Sequence, residues 1–142
     1  MLTEREIIES CACHRARTAA RVVTRAYDEA LRPVGLRATQ LSVLVAAAVD
    51  DALSITALAK FMGMDRSTLT RNLRPLEKAG LISLGVEGWH RSRTLEITKA
   101  GRARLREALP LWQKAQQALK RKLGDRAWEQ MHASLDHLIA RA

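Results

Sequence analysis

The spacing of apolar residues predicts helices over most of the chain. A loose apolar stripe over residues 4–31 indicates one long helix, which ends at Pro33 and Gly35. The segment LRATQLSVLVAAAV indicates a second helix, with apolar residues on one face and Thr39 as its N-cap. The first third of the chain is therefore predicted to form two helices joined by a short turn.

Two shorter helices follow, and glycines mark the turns beside them. Ser54 is a suitable N-cap for the helix ITALAKFM, and Gly63 turns the chain after it. Asp65 caps a fourth helix that runs to Ala79, and Gly80 stands where a left-handed residue closes a helix. Two helices joined by a tight turn predict a helix-turn-helix unit.

The pattern then changes to two short segments rich in apolar and β-branched residues, 81–86 and 94–97, with glycines near the bend. These segments predict a β-hairpin with a basic tip. Helical spacing returns over 99–122, Gly124 breaks it, and a terminal helix follows with its apolar residues in register. Nothing in this order requires a large sheet.

The fourth predicted helix has an unusual polar face. Each residue of a helix turns about 100° from the last, so Leu69, Leu73 and Leu76 share one face, which is predicted to be buried. The rest of the surface holds short hydroxyl side chains and cations, namely Arg66, Ser67, Thr68, Thr70, Arg71, Arg74 and Lys78. Such a ridge fits the DNA major groove, whose base edges offer donors, acceptors and thymine methyls. A solvated helix face is the alternative interpretation.

The formal net charge of +9 is concentrated in the middle of the 142-residue chain. Residues 55–104 contain ten Lys or Arg against four Asp or Glu. Localised positive charge favours a polyanionic partner, because each neutralised phosphate releases condensed counterions. A generally basic surface would explain the charge equally well.

Nothing in the sequence indicates catalysis or membrane insertion. It contains no Ser–His–Asp spacing, phosphate loop or helical pair of metal-binding histidines. Cys11 and Cys13 lie about 200° apart on the predicted first helix, so with His14 they cannot present a chelate on one face. The longest apolar run, at 41–49, is too short to span a bilayer. We therefore expect a cytoplasmic protein without enzyme activity, metal, cofactor or membrane partner.

The two ends of the chain contain more apolar surface than a monomer normally exposes to water. We expect homodimerisation through Ile7, Ile8, Leu109, Trp112, Leu119, Trp128, Leu135, Leu138 and Ile139. Two-fold symmetry would place two recognition helices about one helical turn of DNA apart or slightly more.

The segment ITALAKFMGMDRSTLTRNLRPLEKAGLI, followed by RSRTLEITKAG, resembles the MarR family of bacterial winged helix-turn-helix regulators. The resemblance extends over essentially the whole chain, including AYDEALRPVGLRATQLSVL. It implies a mainly α (α+β) fold, in which a DNA-binding domain at 35–104 contains the helix-turn-helix at about 54–79 and a two-stranded β-wing at about 81–97. The helices of 1–34 and 105–142 would form the dimerisation region.

The resemblance also assigns roles to residues. It matches the base-reading segment to Ser67, Thr68, Thr70 and Arg71. It matches Arg91 and Arg93 to wing arginines that reach the adjacent minor groove, while His90 at the wing tip faces DNA or solvent. The family's wing usually has an acidic residue two positions before the matched arginine, and Trp89 stands there instead. Either Glu87 orients the arginine or the arginine is held differently.

A redox sensor is a further implication of the resemblance. Organic-hydroperoxide sensors of the family have a reactive cysteine near the start of the first helix, supported by tyrosines. Cys13 and Tyr27 align with two of these positions, whereas Arg17 and Ala38 replace the other tyrosines. Cys13 and Tyr27 would share a helix face about 21 Å apart, so they could meet only between subunits. The alternative is that the cysteines are structural.

The combined prediction is a homodimeric transcriptional regulator that binds double-stranded DNA sequence-specifically. The resemblance implies a repressor that occupies a palindromic operator and is released by a small ligand or an oxidant. The alternative is a winged-helix module for protein–protein interaction, without specific DNA binding.

Overall fold

The computed structural model describes residues 1–86 and 93–141. In chain order its elements are α1 Glu4–Ser10, α2 Ala12–Leu31, α3 Ala38–Val49, β1 Leu53–Ser54, α4 Ile55–Met62, α5 Arg66–Lys78, β2 Ile82–Leu84, β3 Thr94–Ile97, α6 Lys99–Leu123 and α7 Asp125–Arg141. The predicted mainly helical fold with a small hairpin is confirmed. Within the described ranges, no helix has both the length and the apolarity needed to cross a bilayer.

The core lies where the helix-turn-helix, the hairpin and the long helices meet. The largest fully buried side chains are leucines from different elements, including Leu31 of α2, Leu44 of α3, Leu58 of α4 and Leu95 of β3. Burial of a leucine contributes roughly 1.5–3 kcal/mol. Helix α5 packs against α3, α4 and β2, so its exposed side has a defined orientation.

The sheet has three strands rather than the predicted two. Strands β2 and β3 pair antiparallel, with Leu84 opposite Leu95, and β1 adds a third strand in which Leu53 also faces Leu95. A two-residue strand is too short to show an alternating pattern, so β1 has no recognisable signature in the sequence. Its effect is to attach the hairpin to the segment that starts α4.

The predicted single helix over residues 4–31 is wrong in one place. The helix breaks at Cys11, which has extended backbone angles (φ −68°, ψ 110°) and caps α2, its Sγ accepting a hydrogen bond from the His14 N–H. Thr3 caps the short α1 through a reciprocal bond pair with Glu6. Cys11 and Cys13 therefore do not lie on one continuous helix, and Cys11 belongs to a junction rather than to an apolar stripe.

The start of α3 also differs from the prediction. Thr39 lies in the first turn, and Arg37 holds the cap position. The free N–H groups there are satisfied by side chains, because Gln40 accepts from the Arg37 N–H at 2.9 Å and Asp28 of α2 accepts from the Ala38 N–H at 2.7 Å. A cap supplied by another helix leaves no local sequence signature.

Gly101 allows the hairpin to pack tightly on α6. A Cβ at this position would overlap the carbonyl oxygen of Leu81, so only glycine fits without a shift of the backbone. Thr98, which caps α6, also donates a hydrogen bond from its hydroxyl to the Gly80 carbonyl at 2.6 Å. The root of the hairpin is thereby fastened to the start of the longest helix.

The chain ends are exposed, as predicted for a dimerisation surface. In α1 and α7 no residue is buried. The exposed apolar side chains include Ile7, Ile8, Leu109, Trp112, Leu135, Leu138 and Ile139. Two members of the predicted set, Leu119 and Trp128, are only partly exposed. Leu119 lines a groove between α2 and α6, and the Trp128 ring contacts that of His132.

Candidate nucleic-acid interface

Helices α4 and α5 are joined by the tight turn that the sequence predicts. Gly63 adopts a left-handed conformation (φ +63°), and the Met64 N–H returns to the Ala59 carbonyl at 2.9 Å. Leu69, Leu73 and Leu76 of α5 are buried with at most 1% of their surface exposed, so the predicted inner face is confirmed. The opposite face of α5 therefore projects from the protein.

That outer face is basic and rich in hydroxyl groups. Ser67, Arg71, Arg74 and Lys78 are exposed, and the half-buried Thr68 and Thr70 flank them. A shallow concavity on this face is lined by Arg66, Ser67, Thr70, Arg71 and Arg74. Asp65, which caps α5, lies at the start of this face, and the charge of Arg71 acts on its carboxylate.

Asp65 does more than cap the helix. Its Oδ1 accepts hydrogen bonds from the Ser67 hydroxyl and the Thr68 N–H, both at 2.7 Å, and its Oδ2 accepts from the Thr68 hydroxyl at 2.9 Å. These bonds, that from Ser67 first, lower the pKa of Asp65 from 3.8 to about 2. The carboxylate is therefore ionised at neutral pH and holds two hydroxyl groups of the outer face in place.

This arrangement was not predicted, although the sequence contains a signal for it. An acidic N-cap followed two and three residues later by Ser and Thr places hydroxyls within reach of the cap carboxylate. The third hydroxyl, that of Thr70, donates to the Arg66 carbonyl at 2.8 Å. All three hydroxyl groups of the outer face thus donate their protons within the protein, two to the Asp65 carboxylate and one to a backbone carbonyl.

The described part of the wing contains one of the three residues predicted to contact DNA there. Arg93 is half-buried, and its Nε donates to the Gly85 carbonyl at 3.0 Å. The Arg93 carbonyl accepts from the Ile55 N–H at 2.9 Å, which ties the wing to the start of α4. His90 and Arg91, with Trp89 and Glu87, lie outside the described residues.

The predicted sensor residues lie away from α5. Cys13 is exposed in the first turn of α2, and Cys11 is partly exposed at the break before it. The Tyr27 hydroxyl donates to Oε1 of Gln116 in α6 of the same chain, and burial raises the pKa of Tyr27. Within one chain, Tyr27 is therefore engaged with α6, and a contact with Cys13 of another subunit stays a prediction.

Comparisons with known proteins agree on one family. The sequence model of the MarR family matches residues 36–83. The crystal structure of the M. tuberculosis transcriptional regulator MosR is 37% identical, covers 92% of this chain and 94% of MosR, and has a TM-score of 0.80. MosR in complex with DNA is 36% identical over 93% of this chain and 96% of MosR, with a TM-score of 0.82.

More distant structures share the fold. CouR from Rhodococcus jostii RHA1 bound to p-coumaroyl-CoA is 24% identical, covers 93% of this chain and 94% of its own, and has a TM-score of 0.78. None of the curated proteins compared matches the chain. The matching region of the family model contains α3, α4 and the outer face of α5.

Proposed function

The chain belongs to the MarR family of DNA-binding transcriptional regulators, and we propose that it acts as a homodimeric repressor on a palindromic double-stranded DNA operator. The observation on which this rests is the outer face of α5. It combines exposed cations with short hydroxyl side chains, and it lies opposite the buried leucines of the same helix. MosR, 36% identical over nearly the whole chain, has been crystallised in complex with DNA.

In this proposal α5 enters the major groove and α4 braces it. Ser67, Thr68, Thr70 and Arg71 contact base edges, while Arg66, Arg74 and Lys78 approach the phosphates. Of the wing residues, Arg91 and Arg93 are proposed to reach the adjacent minor groove, and His90 to face DNA or solvent. The hydrogen bond from Arg93 to Gly85 is compatible with this role, because it uses only the Nε–H of the guanidinium, which has four further N–H donors.

Dimerisation is proposed through residues 1–34 and 105–142, with 35–104 as the DNA-binding domain. Helix α7 supports dimerisation. This 17-residue amphipathic helix buries none of its residues, so most of its apolar side is left uncovered in a single chain. Leu138 and Ile139 are 59% and 73% exposed. A second copy of the chain would cover this side and set the spacing of two recognition helices.

Release from DNA is proposed through an effector at the helical region. A groove of about 490 Å³ between α2 and α6 is lined mainly by apolar residues such as Ala30 and Leu111, together with Lys114, Lys122 and one carboxylate, Glu29. It suits a small amphipathic anion. CouR, a transcriptional repressor of the same fold, has been crystallised with p-coumaroyl-CoA and with a 23-mer DNA duplex. An oxidant acting at Cys13 is the other proposed signal.

Selection from a pool of random DNA duplexes tests the function directly. The purified protein should enrich a palindromic sequence, and a duplex of that sequence should compete far better than a scrambled one. Failure to enrich any sequence, or to retain duplex DNA even at low salt, would instead favour a protein–protein interaction module. Reporter transcription from a promoter overlapping the enriched sequence then distinguishes repression from activation.

A further inference from the structure

We propose that the hydroxyl groups of α5 meet DNA as hydrogen-bond acceptors, and that Ser67 thereby selects adenine or cytosine over guanine or thymine on the strand that it faces. Asp65 is the positioning residue that imposes this polarity on Ser67 and Thr68. The inference rests on the proposed function, since it assumes that the outer face of α5 enters a major groove.

The polarity follows from what each hydroxyl contacts. A hydroxyl has one proton to donate and two lone pairs to accept with. The Ser67 and Thr68 hydroxyls lie 2.7 and 2.9 Å from the two oxygens of Asp65, and the Thr70 hydroxyl lies 2.8 Å from the Arg66 carbonyl. Carboxylate and carbonyl oxygens have no proton to give, so the hydroxyls must be the donors. Only their lone pairs remain for DNA.

Contact with DNA would strengthen this arrangement. If Ser67 turned its proton outward, the ionised Asp65 would lose a donor at the point where the negatively charged phosphates approach. Asp65 is exposed, so water can replace that donor in the free protein, whereas a closely packed groove excludes water. The hydrogen bond from the Ser67 hydroxyl to the Asp65 carboxylate is therefore more strongly favoured in the complex than in the free protein.

An acceptor distinguishes the bases of the major groove in a defined way. Adenine and cytosine each present an amine donor there, whereas guanine and thymine present only acceptors and a methyl group. In the major groove every base pair presents one such amine, so the discrimination is between strands. Ser67 lies opposite the buried leucines, at the centre of the outer face, and is therefore the hydroxyl placed to make this contact.

The first experiment locates the contact. Random duplexes are selected with the wild-type protein and with Ser67→Ala, which retains the helix because Ser67 is exposed and Ala is a strong helix former. The position at which Ser67→Ala loses base preference is the one that Ser67 faces. Wild-type protein should prefer adenine or cytosine there. A preference for guanine or thymine, or no change in Ser67→Ala, would overturn the proposal.

The second experiment separates the two polarities with modified bases. At the identified position, the amine is removed by replacing adenine with purine, or cytosine with 2-pyrimidinone. Binding by wild-type protein should weaken about tenfold, whereas Ser67→Ala should bind both duplexes equally. At an adenine position, 7-deaza-adenine, which keeps the amine but lacks the N7 acceptor, should leave wild-type binding unchanged. The reverse pattern would show that Ser67 donates.

Asp65→Asn tests the positioning role. Asn caps helices about as well as Asp, but its amide places a donor where Oδ2 accepted the Thr68 proton. The Thr68 hydroxyl proton should then turn outward and change the preferred base at the position facing Thr68. Glu77→Gln removes the same charge from α5 and should change no preference. Identical preferences in Asp65→Asn and wild type would overturn the role of Asp65.

These outcomes also distinguish the inference from the proposed function. A wild-type selection that enriches a palindrome with the wrong base at the Ser67 position refutes only the polarity. A selection that enriches no sequence refutes the proposed function, and the polarity with it.

Discussion

The Tyr27 hydroxyl of α2 donates a hydrogen bond to Oε1 of Gln116 in α6. The two residues are 89 positions apart in the chain, and both are partly buried where these long helices pack. Because burial raises the pKa of Tyr27, the phenol keeps its proton at neutral pH and remains a donor. This bond joins the two helices that flank the proposed effector groove.

Tyr27→Phe should therefore destabilise the fold. Removal of the hydroxyl leaves the partly buried Gln116 amide without its partner, and we expect the free energy of unfolding to fall by about 1 kcal/mol. Denaturant unfolding measures this change. Gln116→Ala should have a similar effect, and the double variant should be little worse than either alone. Fully additive losses would show that the two side chains do not interact.

Arg71→Ala should lower operator affinity specifically. Arg71 is exposed opposite the buried leucines, and loss of a base-directed Arg costs roughly 1–3 kcal/mol of binding free energy. Titration of operator and scrambled duplexes at fixed salt measures the loss. Lys78→Ala, at the far end of α5, should weaken both duplexes alike and reduce the slope of binding against salt by about 1. An equal effect of Arg71→Ala on both duplexes would contradict base contact.

The sequence predicted α4, α5 and the hairpin because their signals are local. Ser54 and Asp65 are adjacent to the N–H groups that they cap, Gly63 adopts the left-handed turn, and the leucines of α5 repeat at helical spacing. Helical spacing also predicted the long helices, and the resemblance identified the hairpin as a wing. Local chemistry was thus sufficient for the elements that position the proposed DNA-binding surface.

The errors have two physical causes. Some features depend on a contact distant in the chain, and one depends on a small local preference for a helix break over a continuous helix. The cap of α3 comes partly from Asp28, ten residues earlier, and β1 exists only because Leu53 pairs with Leu95. The break at Cys11 places a thiol, an uncommon capping group, where a continuous helix was equally compatible with the sequence. None of these features has a signature in a short window.

The acid stability of the protein should depend on Asp65. Its pKa falls from 3.8 to about 2 on folding, so its contribution is complete above about pH 4 and is lost as the pH decreases toward 2. Asp65→Asn cannot titrate there. The difference in unfolding temperature between wild type and Asp65→Asn should therefore shrink over this interval. Glu77→Gln is the control, and a difference from wild type that stays constant for Asp65→Asn would exclude the effect.

Ile139→Glu should dissociate the proposed dimer. A charge at the centre of an apolar interface must be desolvated without a partner, whereas in a monomer the 73% exposed side chain tolerates it. Light scattering should give about twice the 15.8 kDa chain mass for wild type and the chain mass for the variant. Val49→Glu, at an 84% exposed apolar residue of the DNA-binding domain, should remain dimeric. A stable monomeric wild type at micromolar concentration would refute the dimer.

The final prediction concerns Cys13, which is exposed in the first turn of α2 with Arg17 one turn further along. Nearby positive charge and accessibility favour thiol oxidation. We expect an organic hydroperoxide to convert the Cys13 thiolate to sulfenic acid, with release of the alcohol, and to weaken operator binding. Cys11, whose Sγ is only partly exposed and accepts the His14 N–H, should be less readily attacked.

Matched cysteine variants decide between sensing and structural roles. Cys13→Ser should abolish the response to hydroperoxide, whereas Cys11→Ser should retain the loss of DNA binding. In wild type the sulfenic acid can condense with Cys11, a partner chain or a small thiol, with release of water. Because the site lies at the junction of α1 and α2, such a product would disturb the proposed dimer interface and the spacing of the two recognition helices.

Mass spectrometry and gel shift on the same treated sample provide the measurement. If Cys13 stays reduced while an exposed control thiol is oxidised, or if oxidised protein binds the operator as before, the cysteines are structural. The groove between α2 and α6 would then be the remaining proposed effector site.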